Sequence, residues 1–235
     1  AYEKLLAKID EVYEYAEDHE GKGDVGVLFD AADAAQEGYD DELFTLAEAL
    51  AEIEALNDAV YEYNLSIADG TVGFDVTEKY VVNPSVRKNL DGWKWNGAQP
   101  GVQYEVQEFF NCDYDFYQTI TGLRNGKYVV KVQGFYRVSG NDPGAAYNND
   151  TEKISAVIYA NDDEAPMMSL YAHTASEMGV TVDVLNDYVN MRQSANMAFN
   201  TVNPLTGDLY YTENEVSVIV MDGTLTFGLR NVGHG

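Results

Sequence analysis

Apolar positions along the chain follow two different periods, and the change falls near residue 70. From Tyr2 to about Ile67 the spacing is helical. Tyr2, Leu5, Leu6, Ile9, Val12, Tyr13 and Ala16 recur at steps of three and four, as one face of a helix requires. Val25, Leu28, Phe29, Ala32, Gln36 and Tyr39 repeat the pattern in a second helix. Leu43, Leu46, Leu50, Ile53, Leu56, Val60 and Tyr63 mark a third, close to heptad-spaced. Gly- and Asp-rich breaks at Glu20–Asp24 and Gly38–Asp41 separate them. This predicts a three-helix antiparallel bundle over residues 1–68.

Beyond "IADGTVGFDVTEKYVVNPSV" the period becomes two. "YVVKVQGFYRV" (128–138), "KISAVIYA" (153–160), "EVSVIVM" (215–221) and "TLTFGLRNV" (224–232) are β-branched and aromatic runs. "RNGK" at 124–127 and "MDGT" at 221–224 carry the Asn-Gly and Asp-Gly signals of tight type I′ hairpins. Short strands with turn signals predict an antiparallel β-sandwich or jelly roll over residues 74–235, with one short helix around Asp187–Phe199. The fold class is therefore α+β in two domains, with the boundary near Ala68–Gly73.

"FFNCDYDFYQTI" (109–120) raises the question of chemistry, because it holds the only cysteine and two carboxylates two residues apart. Laid on a strand, Phe110, Cys112, Tyr114, Phe116, Gln118 and Ile120 share one face, a core face but for Gln118; Asn111, Asp113, Asp115, Tyr117 and Thr119 share the other. Two carboxylates on one strand face do not flank a substrate from opposite walls, as glycoside hydrolysis demands. Cys112 has no basic activator nearby in sequence and reads as a small buried hydrophobe. The stretch predicts the first strand of an "ITGLRNGKY" hairpin, not a reactive centre.

Other motifs add little chemistry. "GKGDVG" (21–26) matches G-x-G-x-x-G, but an acidic helix precedes it and Asp24 would face a phosphate, so it reads as a helix–helix turn. His19, His173 and His234 are far apart and lack metal-binding spacing. The Asn/Asp-rich loops "SGNDPGAAYNNDTE" (139–152) and "ANDDEA" (160–165) offer hard oxygen ligands to a structural calcium ion.

Charge narrows the partners. The formal net charge is −26, and residues 1–70 carry 20 acidic side chains against 3 lysines. Such a surface repels phosphate backbones and anionic lipid headgroups. One cysteine excludes an internal disulfide. No apolar run approaches the roughly 20 residues that span a bilayer. Ala1 opens directly on the acidic amphipathic pattern, which reads as a processed chain.

At "YVVNPSVRKNLDGWKW", followed by "FFNCDYDFYQTITGLRNGKYVVKVQGFYRV", the chain resembles the galactose-binding-domain-like, carbohydrate-binding-module-type β-sandwiches of secreted and outer-surface proteins of gut bacteria. Their "NPSFE…GW" opening strand leads to a "DF.Q.ITGLPNGKY…V.GFYR" hairpin, and "VSVIVMDGTLTFGLRN" is similar to their closing strands. The resemblance covers about residues 75–235. The helical part resembles small helical repeats that accompany such modules. Val86–Arg87 stands where the family has Phe-Glu, so no role of that Glu carries over. The family also has a further Asp-Asn-containing strand after "GLRN", which implies that the natural protein continues, with further domains beyond Gly235.

The resemblance implies a noncatalytic glycan- or polysaccharide-binding module on a secreted or cell-surface protein. Sugar C–H faces stack on exposed aromatics while Asn, Asp and Arg bond the hydroxyls. The expected contacts are Trp95, Tyr147, Asn141, Asn148, Asn149, Asp115, Tyr117 and Arg137, with Asp142 alongside and Trp93 in the core. The alternative is a structural or adhesive spacer that docks protein.

Overall fold

The structure, a computed structural model, describes residues 1–68, 73–138, 143–179 and 191–232. Asn141, Asp142 and His234 lie outside the described residues, as does the predicted start of the Asp187 helix. The fold is α+β, with antiparallel sheets, and the chain divides into two compact units, Ala1–Tyr80 and Val81–Gly235.

The first unit packs three helices, α1 (Tyr2–Asp18), α2 (Gly26–Asp40) and α3 (Leu46–Ile67), around one core. Leu5, Ile9, Val12 and Ala16 of α1 meet Leu28, Ala32 and Ala35 of α2 and Ala49, Leu56 and Tyr63 of α3. The buried face of α3 differs from the one its leucines predict. Leu43, Leu46 and Leu50 point outward, and the buried line runs Ala49–Leu56–Tyr63 at heptad steps. The helix entry sets this rotation. Thr45 and Glu48 form a capping box, each side chain bonding the other's backbone N–H, which makes Leu46 the first helical residue. The preceding Phe44 ring fills the space beside Gly38 of α2. "GKGDVG" is indeed the turn between α1 and α2. A short helix, α4 (Thr77–Tyr80), returns to α3, where Phe74 and Tyr80 pack edge-on against Tyr61.

The second unit contains a five-stranded antiparallel sheet in the order β1-β4-β9-β6-β7: β1 (Lys94–Gly97), β4 (Tyr114–Thr121), β9 (Thr224–Asn231), β6 (Ala156–Ala160) and β7 (Asp163–Pro166). β5 (Gly126–Val132) pairs with β8 (Asn214–Val220) in a separate two-stranded sheet, and β2 (Gly101–Gln103) with β3 (Val106–Glu108) in a hairpin. Helices α5 (Pro143–Asn148) and α6 (Met191–Phe199) interrupt the strands.

Neither Asn-Gly nor Asp-Gly makes a hairpin. β4 and β5, on either side of "RNGK", lie in different sheets, as do β8 and β9 around "MDGT". A type I′ turn needs positive φ at both central residues. Neither Asn125 nor Gly126 has it, and of Asp222–Gly223 only the glycine does, at +73°. Both segments are corners that carry the chain from one sheet to the other. They sit side by side: the Leu123 N–H donates to the Gly223 carbonyl at 3.0 Å.

Alternation sorts the strands as expected. Phe116 and Gln118 of β4, Leu225 and Phe227 of β9, and Val216, Val218 and Val220 of β8 are buried. Trp93 stacks on Phe116 at 4.6 Å between ring centroids and donates its indole N–H to the Asn83 carbonyl. Gln118, the polar residue on that face, uses its amide as a strand would: it donates to the Val82 carbonyl (2.7 Å) and accepts from the Val82 N–H (3.2 Å). Asn214 is a second buried amide. It lies within bonding distance of the carbonyls of Val132, Gly134 and Tyr211 and accepts from the Met168 N–H.

"FFNCDYDFYQTI" is only partly strand. Asn111 has φ +48°, so the pleat starts at Tyr114, and Phe110 is 60% exposed rather than in the core. Cys112 is half-buried, and burial pushes its thiol pKa up, away from the reactive thiolate.

Candidate functional site

Antiparallel pairing puts residues opposite one another on the same face of a sheet. On the five-stranded sheet, Asn96, Asp115, Arg230 and Val157 therefore form one row, and Lys94, Tyr117, Gly228, Tyr159 and Glu164 form the next. Both rows lie on the face opposite Phe116, Gln118 and Phe227. A third row adds Thr119 and Thr226, whose hydroxyls are 2.8 Å apart. Every strand of the sheet contributes to this face.

Gly228 lies between Tyr117 and Tyr159 in its row. A methyl group there would strike the Phe116 carbonyl and Tyr117 Cβ, so only glycine lets β9 approach β4 this closely. The Tyr159 hydroxyl donates to Asp115 Oδ1 at 2.7 Å, and Asn96 donates to Asp115 Oδ2 at 3.3 Å. The Arg230 guanidinium lies 4.8 Å from the Tyr159 ring centroid and donates to Glu164 Oε2 at 2.6 Å. Burial first, then the bond to Asp115, pushes the Tyr159 pKa well above the ordinary phenol value. Tyr159 is thereby held as a neutral donor, and Asp115 is oriented with acceptor capacity left over. The Glu164 bond raises the already high pKa of Arg230.

The predicted contacts divide among several places. Asp115 and Tyr117 come together on this face. Trp95 sits opposite Phe116 on edge strand β1, so it belongs to the other face, yet it remains 38% exposed. Tyr147 and Asn148 fall in α5 rather than in a loop, and Asn149 follows; all three are exposed. They neighbour a second cluster, in which Glu152 accepts from Tyr136 and from Ser169, each at 3.0 Å. Arg137 is half-buried beside Tyr136. Tyr159, Arg230, Glu164 and Asn96 were not expected. The findable signal was Gly228, since a glycine inside an apolar strand marks close approach.

The "ANDDEA" segment is the β6–β7 hairpin. Asn161 Oδ1 accepts from the Thr226 N–H, and Glu164 Oε2 accepts from Arg230, so these two oxygens are already engaged within the hairpin and its neighbour strand. Among the described residues no three His, Cys, Asp or Glu side chains converge as a metal site. No helix among them is long and apolar enough to cross a membrane.

Comparison of the chain with protein-family models, with curated proteins and with solved structures finds no match in any of the three.

Proposed function

We propose that the second unit is a galactose-binding-like jelly roll that holds carbohydrate without cleaving it, as a noncatalytic module of a secreted or cell-surface protein, with the three helices as an accompanying bundle. The observation that carries this reading is the Asp115–Tyr117–Tyr159–Arg230 face. Tyr117 offers a ring for the C–H face of a sugar, supported from behind by Gly228. Asp115 and Glu164 accept from hydroxyls, while Arg230 and Asn96 donate. The face brings no carboxylate into opposition across a cleft. Asp115 and Glu164 stand on one side of one sheet, with the Arg230 guanidinium bonded to Glu164, an arrangement suited to holding a sugar rather than to general acid–base cleavage.

A glycan array probed with the wild-type chain and with Tyr117→Ala and Arg230→Ala tests this. Binding of at least one glycan, weakened in both variants, is the expected result. If the wild type retains no glycan or polysaccharide, the reading fails; if both variants bind unchanged, the site lies elsewhere.

A further inference from the structure

The first unit carries 22 acidic side chains against 4 lysines and no arginine, and its longest helix leaves part of one stripe uncovered. Leu46, Leu50, Asn57 and Tyr61 follow one another along α3 at steps of four, seven and four, which keeps them on a common stripe. The two ends of that stripe differ. At the C-terminal end Tyr61 is buried: Phe74 and Tyr80 lie against it at 5.7 and 5.9 Å between ring centroids, and Lys79 Nζ stands 4.3 Å from its ring while pairing with Asp58. At the N-terminal end Leu46 and Leu50 are 60% and 49% exposed, and Leu43, just before the helix, is 67% exposed. Carboxylates border this end too, with Glu42 and Glu54 both exposed.

We infer that the Leu43–Leu46–Leu50 end of α3 is a docking surface for a cationic amphipathic segment of a partner protein, one that alternates aliphatic or aromatic side chains with lysine or arginine. Two observations select this occupant. The chain already solves the same problem three turns along the stripe with Phe74, Lys79 and Tyr80, an aromatic–lysine segment set on a tyrosine and a carboxylate. Charge supplies the second, because a unit this acidic repels a second copy of itself and attracts a basic partner. The recognition mode is an amphipathic segment laid on an apolar stripe, with rim charges setting orientation and association rate.

The test titrates the full chain with a short synthetic amphipathic peptide of leucine, tyrosine and lysine, by calorimetry. Two control peptides accompany it: one with serine for the leucines and tyrosines, one with glutamate for the lysines. The parent peptide is expected to bind, more weakly as salt is added, and both controls to bind poorly. Leu46→Ser combined with Leu50→Ser should weaken parent-peptide binding about tenfold or more, as loss of a central apolar anchor does. Both leucines are exposed, so helix content by circular dichroism should match the wild type. The proposal is overturned if the double variant binds as tightly as the wild type, if the serine peptide binds as well as the parent, or if the wild type binds nothing. It is equally overturned if sedimentation shows a wild-type dimer that the double variant abolishes, since a second copy would then be the occupant.

Discussion

The helical unit and the β unit differ in how far along the chain a side chain reaches for its partners. In the first, α1 packs on α2 and α3, Tyr15 donates to Asn64 within the same small unit, and the capping box joins residues three apart. In the second, Asp115 lies opposite Arg230, Tyr114 donates its N–H to Asn231, and Asn214 binds Val132 and Gly134. The helical unit thus stores much of its specification locally. The β unit stores it in register, where a one-residue slip would turn the Asp115–Tyr117 face into the core.

The largest expected effects lie in the β unit. Truncating Phe116, the ring on which Trp93 stacks, should cost about 3–5 kcal/mol in denaturant unfolding. Asn214→Ala should cost about 3 kcal/mol, because it strands a buried N–H and several buried carbonyls at once. A loss under about 1 kcal/mol for Asn214→Ala would show that water or rearranged backbone replaces the amide.

Alkaline pH separates the units next. Burial raises the pKa of Tyr114 to about 12 and that of Tyr136, Tyr159 and Tyr211 further. The unfolded tyrosines release protons near pH 10 while the folded ones retain theirs, so the unfolded state binds fewer protons there. The stability these groups contribute is complete below about pH 10 and is lost as pH rises through the folded values. Tyr13, raised to about 12 by its bond to Asp33, gives the helical unit the same sign. Segment-resolved amide exchange should show the larger alkaline loss in residues 81–232. An equal loss in α1–α3 would remove that distinction.

Smaller effects sharpen the local side. Thr45→Ala should cost the helical unit about 1 kcal/mol by removing its half of the capping box. Gly126→Ala provides the opposite sign. The glycine lacks positive φ and nothing crowds its Cβ position, so alanine should be neutral or stabilise by about 0.4–1 kcal/mol. A type I′ hairpin at Asn125–Gly126 would instead make that change destabilising.

Much of the architecture was legible. The helical period located α1, α2 and α3, and alternation located β4, β6, β8 and β9 with Phe116 correctly inward, while Gln118, excepted from the core, is buried beside it. Partner choice was not legible. Asn-Gly and Asp-Gly mark a reversal of the chain, but they do not say whether the reversal stays within a sheet or crosses to another. The buried face of α3 is hard to read for a related reason: Leu46 and Leu50 are more hydrophobic than Ala49, yet close helix packing takes the small residue at that level. Of the candidate site, Asp115 and Tyr117 were readable from strand parity. Tyr159 and Arg230 were not, because their proximity depends on β9 lying between β4 and β6.

That placement of β9 also sets an order of events during synthesis. The strand translated last among those described is the central member of its sheet, hydrogen-bonded to β4 on one side and β6 on the other. Until Thr224–Asn231 leaves the ribosome, neither of its neighbours has its inner partner. The nascent chain carries two unpaired strand edges from the completion of β6 at Ala160 until β9 begins at Thr224. Those edges stay open to other chains until β9 arrives, and a message truncated before Thr224 would yield a product prone to edge-to-edge aggregation.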